Sequence, residues 1–310
     1  MHNYYITESG HVSEIEEYQD NCWLMLTNPT DKECRDTSQH FGIELDDVRA
    51  ALDQDESSRV DIEDNYTLIL IDIPTREAVN VAISYTTIPL GIILTKSCII
   101  TVCSKETIIL KNMIFRKMRG LSIRKMKRFC CQILYHNCMV YQNLLKSIDR
   151  SRGDIEKKIN DDMEDTDLIN LHYLESNLVY FATSLRANAS VLDKIKRYGI
   201  LKEHAEDEEL LDDTIIENMQ AIETTKIYQD IIKSTSELFS TVTNNRLNDV
   251  MKLLTSITVV MALPTIISGI WGMNVPLPFQ NSFFGFPIVI LITVFVCALT
   301  VWLLRKWKML

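Results

Sequence analysis

The sequence predicts an N-terminal α/β domain, a long helical stalk after it, and two membrane-spanning helices at the C-terminal end. Three observations carry that reading. β-Branched and aromatic runs are confined to roughly the first 105 residues. Neither glycine nor proline occurs between Leu201 and Leu263. Two runs of 19 residues near the end of the chain hold no charge at all.

Residues 1–119 form the predicted α/β domain. The runs CWLML, YTLILIDI, SYTTIPLGIILT and CIITVC are bounded by turn formers and read as strands of a mixed sheet. DKECRDTSQHFG and ELDDVRAALD between them read as helices. This part contains no phosphate-cradling glycine loop, no nucleophile elbow and no paired-histidine zinc motif, so no enzymatic activity is expected.

Residues 120–252 are predicted to be helical. Two segments, IRKMKRFCCQILYHNCMVYQNLLKSIDR and LINLHYLESNLVYFATSLRANASVLDKI, carry apolar residues at helical spacing, and polar joins separate them. From about Leu210 the chain reads as one helix running into the first apolar span. Tyr228, Ile231, Thr235, Leu238 and Val242 step by three and four, a narrow stripe suited to bundling. The same stepping reaches Asn245, Asn248 or Asp249, Met251, Thr255, Thr258, Ala262, Thr265 and Gly269. A solitary anchor has no use for threonines aligned on one face; a helix that faces its own copies or a pore does.

The spans themselves are residues 253–271 and 286–304. At about 1.5 Å per residue each covers about 29 Å, the thickness of a bilayer's hydrocarbon core. Residues 272–285 connect them without a lysine or arginine. Lys252 precedes the first span, and the tail 305–310 carries Arg305, Lys306 and Lys308. The positive-inside tendency therefore places both termini in the cytoplasm and the connecting loop outside, in a multi-pass protein of the cell membrane with lipid as a partner. Two helices cannot enclose a water-filled path, so several copies must surround one if the chain conducts.

Charge excludes another class. Residues 251–310 hold four of the 32 basic residues and none of the 42 acids, so residues 1–250 carry 28 − 42 = −14. Such a domain suits cations and lacks the basic footprint of nucleic-acid binding. The eight cysteines form no CxxC pair. Cys130, Cys131, His136 and Cys138 match no standard zinc spacing, and reduced thiols are expected.

Gly272-Met273-Asn274 at the outer end of the first span, NDVMKLLT at its inner end, the stalk and the basic tail together resemble the CorA family of divalent metal ion transporters. The segment SNLVYFATSLRANASVL is also similar to that family's cytosolic helices. The resemblance covers essentially the whole chain and is strongest over 205–310. It implies a funnel-shaped homopentamer whose first membrane helix lines the pore. Gly272, Met273 and Asn274 would form the selectivity filter, with five Asn274 amides at the outer mouth. Asn248, Met251, Leu254, Thr255, Thr258 and Thr265 would line the pore, Met251 and Leu254 as its apolar constriction.

The resemblance further implies transport of hydrated Mg²⁺, with Co²⁺ and Ni²⁺ as further cargo, down the electrochemical gradient into the cytoplasm. Cytosolic Mg²⁺ would also regulate the gate by bridging carboxylates between subunits, and no organic cofactor is involved. Asp213 best matches the family's stalk aspartate and lies with Asp212 in the acidic run EDEELLDD; Asp46, Asp47 and Asp72 are the candidate partner acids in the N-terminal domain. One departure stands out. Where the family's outer loop continues with an acidic stretch, this chain reads VPLPFQNSFFGF, which has no carboxylate to concentrate cations. The alternatives are a transporter for another divalent metal, such as the zinc-transporting branch, and a membrane-anchored sensor that transports nothing.

Overall fold

The computed structural model describes residues 2–8, 11–78, 83–115, 121–158, 165–273, 284–307 and 309. The chain divides into two compact units, 1–236 and 237–310.

The first unit contains a seven-stranded mixed sheet in the order β2-β1-β3-β7-β6-β5-β4. Its strands are β1 (His2–Glu8), β2 (His11–Ile15), β3 (Cys22–Thr27), β4 (Arg59–Ile62), β5 (Tyr66–Ala78), β6 (Ile83–Thr95) and β7 (Cys98–Cys103). The contact between β3 and β7 is parallel; the other five neighbouring pairs are antiparallel. The four apolar runs of the sequence are β3, β5, β6 and β7, which occupy the middle of the sheet. The polar strands β2 and β4 lie at its two edges.

The sheet is covered on both faces, and the two-residue period of a strand sorts its side chains between them. Along β5, Ile69, Ile71 and Ile73 join one core, while Leu68 and Leu70 join the other. The second core is closed by α1 (Asp31–Phe41) and α2 (Leu45–Arg49) through Cys34 and Val48. A single 3₁₀ turn follows α2 and sets Ala51 against β6. That approach explains Gly91 in the interior of a strand, because a Cβ there would lie 3.1 Å from the Ala51 methyl. The first core is closed by α3 (Ile108–Phe115) and α4 (Met126–Lys158), with Trp23 packed on Phe129 and its indole N–H donated to Thr101 at 2.9 Å.

A third apolar cluster joins α4, α5 (Asp165–Tyr198) and the start of α6 (Ala205–Trp271) through Tyr141, Leu145, Leu178, Phe181, Leu185, Ala221 and Ile232. Helix α6 is one uninterrupted element of 67 residues, about 100 Å at 1.5 Å per residue. Its N-terminal end is capped by Asp207, whose carboxylate accepts the His204 backbone N–H at 3.1 Å.

The second unit consists of the remainder of α6 and α7 (Gly285–Lys306). Both helices are long and apolar enough to cross a membrane. Little of either span is buried within the chain. Ser256 is an exception: it is fully buried and donates to the Met309 carbonyl at 3.0 Å.

Candidate ion path and candidate regulatory acids

The threonines of α6 share one local arrangement. The hydroxyls of Thr255, Thr258 and Thr265 donate to the carbonyls of Met251, Leu254 and Met261, each four residues back, at 2.8, 2.8 and 3.3 Å. The bond uses each hydroxyl's proton and fixes its rotamer. What remains for the exposed side is oxygen lone pairs, which accept from water or meet a cation. All three residues are exposed in the chain, as are Asn248, Met251 and Leu254, the last two at 53% and 58%. Pro264 lies inside the helix and has no N–H for the Val260 carbonyl. The predicted path residues therefore occupy one helix, and none of their side chains is buried by the chain itself.

The C-terminal end of α6 closes through a tight turn. The Gly272 N–H donates to the Ser268 carbonyl at 2.9 Å and the Met273 N–H to the Ile270 carbonyl at 3.3 Å. A Cβ on Gly272 would lie 3.3 Å from the Ser268 oxygen, closer than an ordinary contact, which gives the glycine its place. Met273 is exposed. Asn274 lies outside the described residues, as does the loop as far as residue 283.

The candidate acids occupy four different settings. Asp47, in α2, accepts the Tyr66 hydroxyl at 2.6 Å and faces Arg59 at 3.9 Å. Tyr66 is pushed up to about 12, first by burial and then by its bond to Asp47. Asp46, beside it, is exposed. Asp212 pairs with Lys196 of α5 at 2.8 Å, and this contact raises the lysine. Asp213, the next residue, is exposed.

Asp72 is half-buried near the middle of β5 and lies opposite Pro89. Burial raises its carboxyl above the usual range, while hydroxyls of Ser184 and Ser58 pull it back. Its backbone leaves the ladder on one side and is satisfied by helix side chains. The Asp72 N–H donates to Asn188 Oδ1 at 2.8 Å. Its carbonyl accepts from Asn188 Nδ2 at 2.8 Å, Asn137 Nδ2 at 3.1 Å and Tyr141 Oη at 3.2 Å.

Sequence reasoning did not single out those helix residues. The available signal was weak: asparagine, tyrosine and serine at positions of α4 and α5 that otherwise carry apolar groups. It also passed over Arg128, which pairs with Glu206 and holds that carboxyl below its usual range. Among the described residues, Glu203, His204 and Asp207 bring three potential ligand atoms within 4.8 Å of one another. Asp207 already serves there as the helix cap, with Arg128 3.9 Å away.

Comparison with known proteins follows this architecture. The chain is 28% identical over 300 residues to the cobalt/magnesium transport protein CorA of Methanocaldococcus jannaschii, covering 92% of this chain and 90% of that one. It is 24% identical over 293 residues to the CorA protein of the same description from Thermotoga maritima, covering 92% and 82%. The complete structure of the CorA magnesium transporter from M. jannaschii matches with a TM-score of 0.82 and 25% identity over 99% of this chain and 98% of that one. The model of the CorA-like Mg²⁺ transporter protein family matches residues 18–306, nearly the full length, and the chain belongs to that family.

Proposed function

We propose that the chain assembles as a homopentamer around the exposed threonine face of α6 and conducts hydrated Mg²⁺ into the cytoplasm, with Co²⁺ and Ni²⁺ as further cargo. The observation that carries this reading is the uncovered oxygen-bearing face of a membrane-length helix that ends at Trp271, with Gly272-Met273-Asn274 next in the sequence. Mg²⁺ releases its waters reluctantly. A ring of carboxylates would hold it too tightly for rapid passage. Five neutral Asn274 amides accept hydrogen bonds from the ion's own waters and select by size and dipole number. Thr265, Thr258 and Thr255 continue a path of acceptor oxygens. Met251 and Leu254 form an apolar ring that closes by dewetting, with Asn248 at its cytosolic side.

An inside-negative potential of 100 mV favours uptake of a divalent ion by about 4.6 kcal/mol, so the process requires no nucleotide. For regulation, cytosolic Mg²⁺ bridges acids of neighbouring subunits and holds the closed state; its departure releases like-charge repulsion. Asp213 and Asp212 supply the stalk side, and Asp72 or Asp47 the partner side. Asp213 is the freest of the four to accept an ion, since Asp212 and Asp47 already face cations in their own chain.

The test is Mg²⁺ uptake into proteoliposomes under an imposed inside-negative voltage, comparing the native chain with Asn274→Ala. Voltage-driven influx that falls at least tenfold in the variant supports the amide ring. Zn²⁺ is assayed in parallel, because the outer loop lacks the carboxylates that would gather Mg²⁺. Flux of Zn²⁺ alone moves the assignment to another divalent metal. Flux of neither ion through a folded pentamer rejects transport.

A further inference from the structure

We propose that Cys22 and Cys98 are an oxidant-responsive dithiol, in which a hydroperoxide converts the pair to an intrachain disulfide that staples β3 to β7. The two cysteines are the first residues of adjacent strands and are directly opposed across the parallel contact. Their sulfurs are 3.4 Å apart, inside ordinary van der Waals separation and about 1.4 Å from bonding distance. Both are fully buried, yet each strand begins straight after a turn open to solvent, with Asn21 and Lys96 exposed. The turns are tied to each other by the Asn21 N–H, which donates to the Ser97 carbonyl at 2.6 Å, so the two sulfurs are held in register.

The pair is chemically asymmetric. Either S–H can be the donor in the contact between the two sulfurs; with Cys98 as donor, Cys22 is held below the ordinary thiol value, first by that bond and then by backbone N–H groups of Gln19 and Cys22. In that arrangement Cys98 is held up. The other buried cysteines of this unit, Cys34, Cys103, Cys130, Cys131 and Cys138, are all pushed up by burial. In the same arrangement Cys22 is the attacking thiolate and Cys98 the resolving thiol.

The steps balance. The Cys22 thiolate attacks one peroxide oxygen, the O–O bond breaks, and the leaving hydroxide takes a proton from solvent to become water; Cys22 is then a sulfenic acid. The Cys98 sulfur attacks the Cys22 sulfur, the S–O bond breaks, and the Cys98 proton leaves with the departing hydroxyl as a second water. Two thiols are oxidised by two electrons and one peroxide is reduced. Dithiothreitol reverses the reaction by thiol–disulfide exchange.

The full-length protein is treated with hydrogen peroxide, unfolded, alkylated with iodoacetamide and cut with trypsin without reductant. Trypsin releases Cys22 in residues 1–32 and Cys98 in residues 97–105. The expected product is these two peptides joined through Cys22 and Cys98, lighter than their sum by two hydrogens and separated again by dithiothreitol. Fragment ions distinguish Cys98 from Cys103, which lies in the same peptide. In Cys98→Ser, peroxide should leave Cys22 as a sulfenic acid that dimedone traps. The native chain alone decides the matter if that variant does not fold. Recovery of Cys22 and Cys98 as alkylated thiols, after a peroxide dose that fully oxidises free cysteine in the same buffer, overturns the proposal. So does a cross-link from Cys22 to any other cysteine.

Discussion

The two units of the chain treat apolar surface in opposite ways. In residues 1–236 the largest apolar side chains, Trp23, Tyr141, Phe129 and Phe181 among them, are fully enclosed by the chain's own strands and helices. In residues 237–310 Leu253, Leu254, Ile257, Ile266, Leu291 and Phe295 are exposed. A monomeric soluble protein rarely leaves such a surface open. The first unit satisfies itself. The second leaves its apolar side chains to whatever surrounds it, and in the proposed pentamer the threonine face is the part that the copies enclose.

The strongest test of this contrast is a pair of substitutions read by two methods. Phe181→Ala, in the buried cluster of the first unit, should destabilise that unit by about 3–5 kcal/mol in urea unfolding followed by tryptophan fluorescence. Thr258→Val, on the exposed face of α6, should leave the urea midpoint unchanged because the residue is not buried by the chain. It should instead lower Mg²⁺ flux several-fold in proteoliposomes by removing one ring of acceptor oxygens. An unfolding defect in Thr258→Val without a flux defect would break the distinction.

A second test concerns the apolar ring. Met251→Asp should wet the constriction and abolish closure, giving Mg²⁺ influx that persists at internal concentrations that shut the native protein. The expected increase in residual flux is about tenfold or more. Unchanged closure would move the gate to another level of α6.

Asp72 separates structural from regulatory acids within the first unit. Its folded-state pKa is raised above the ordinary 3.8, chiefly by burial. The sign follows from linkage: the fold disfavours the charged form, so stability is lost as pH rises from about 4 through the raised value. Asp72→Asn removes that cost and leaves the backbone bonds of residue 72 to Asn188, Asn137 and Tyr141 in place. The variant should be more stable than the native chain at neutral pH and equal to it in acid. A variant that instead loses Mg²⁺-dependent protection from proteolysis would assign Asp72 to the regulatory site.

How much of this was legible in the sequence varied with the physical signal. β3, β5, β6 and β7 were readable because strands covered on both faces are almost continuously apolar. β1, β2 and β4 were not, because HNYYITE, HVSEI and RVDI are mixed or polar and belong to the sheet through backbone pairing with a neighbour distant in sequence or at an edge. Helix α3 is only eight residues long and too short to display a period. The membrane spans and the threonine stripe were plain, since they depend on long runs and regular spacing along one helix. The surroundings of Asp72 were not, because Asn137 and Asn188 approach it from 65 and 116 residues away. The proposed pairing of Asp47, Asp72, Asp212 or Asp213 with an acid of a second copy would depend on the assembly, which local spacing does not encode.

The smallest expected effect lies at the N-terminal end of α1. Thr30 and Glu33 form a reciprocal cap: the Glu33 N–H donates to the Thr30 hydroxyl at 3.3 Å, and the Thr30 N–H to the Glu33 carboxylate at 2.7 Å. His2 of β1 also reaches that carboxylate, at 3.0 Å. These contacts, the His2 bond foremost, lower Glu33 to about 2 from an ordinary 4.5. The stabilisation is therefore present above about pH 4.5 and is lost as pH falls toward 2. Glu33→Gln keeps the capping geometry and removes the charge, so it should cost about 1 kcal/mol or less at neutral pH. That difference should shrink as pH falls from about 4.5 and vanish well below pH 2, where both side chains are neutral. A difference independent of pH would mean that the cap acts through hydrogen-bond shape alone, and that the first strand is not held to α1 by charge.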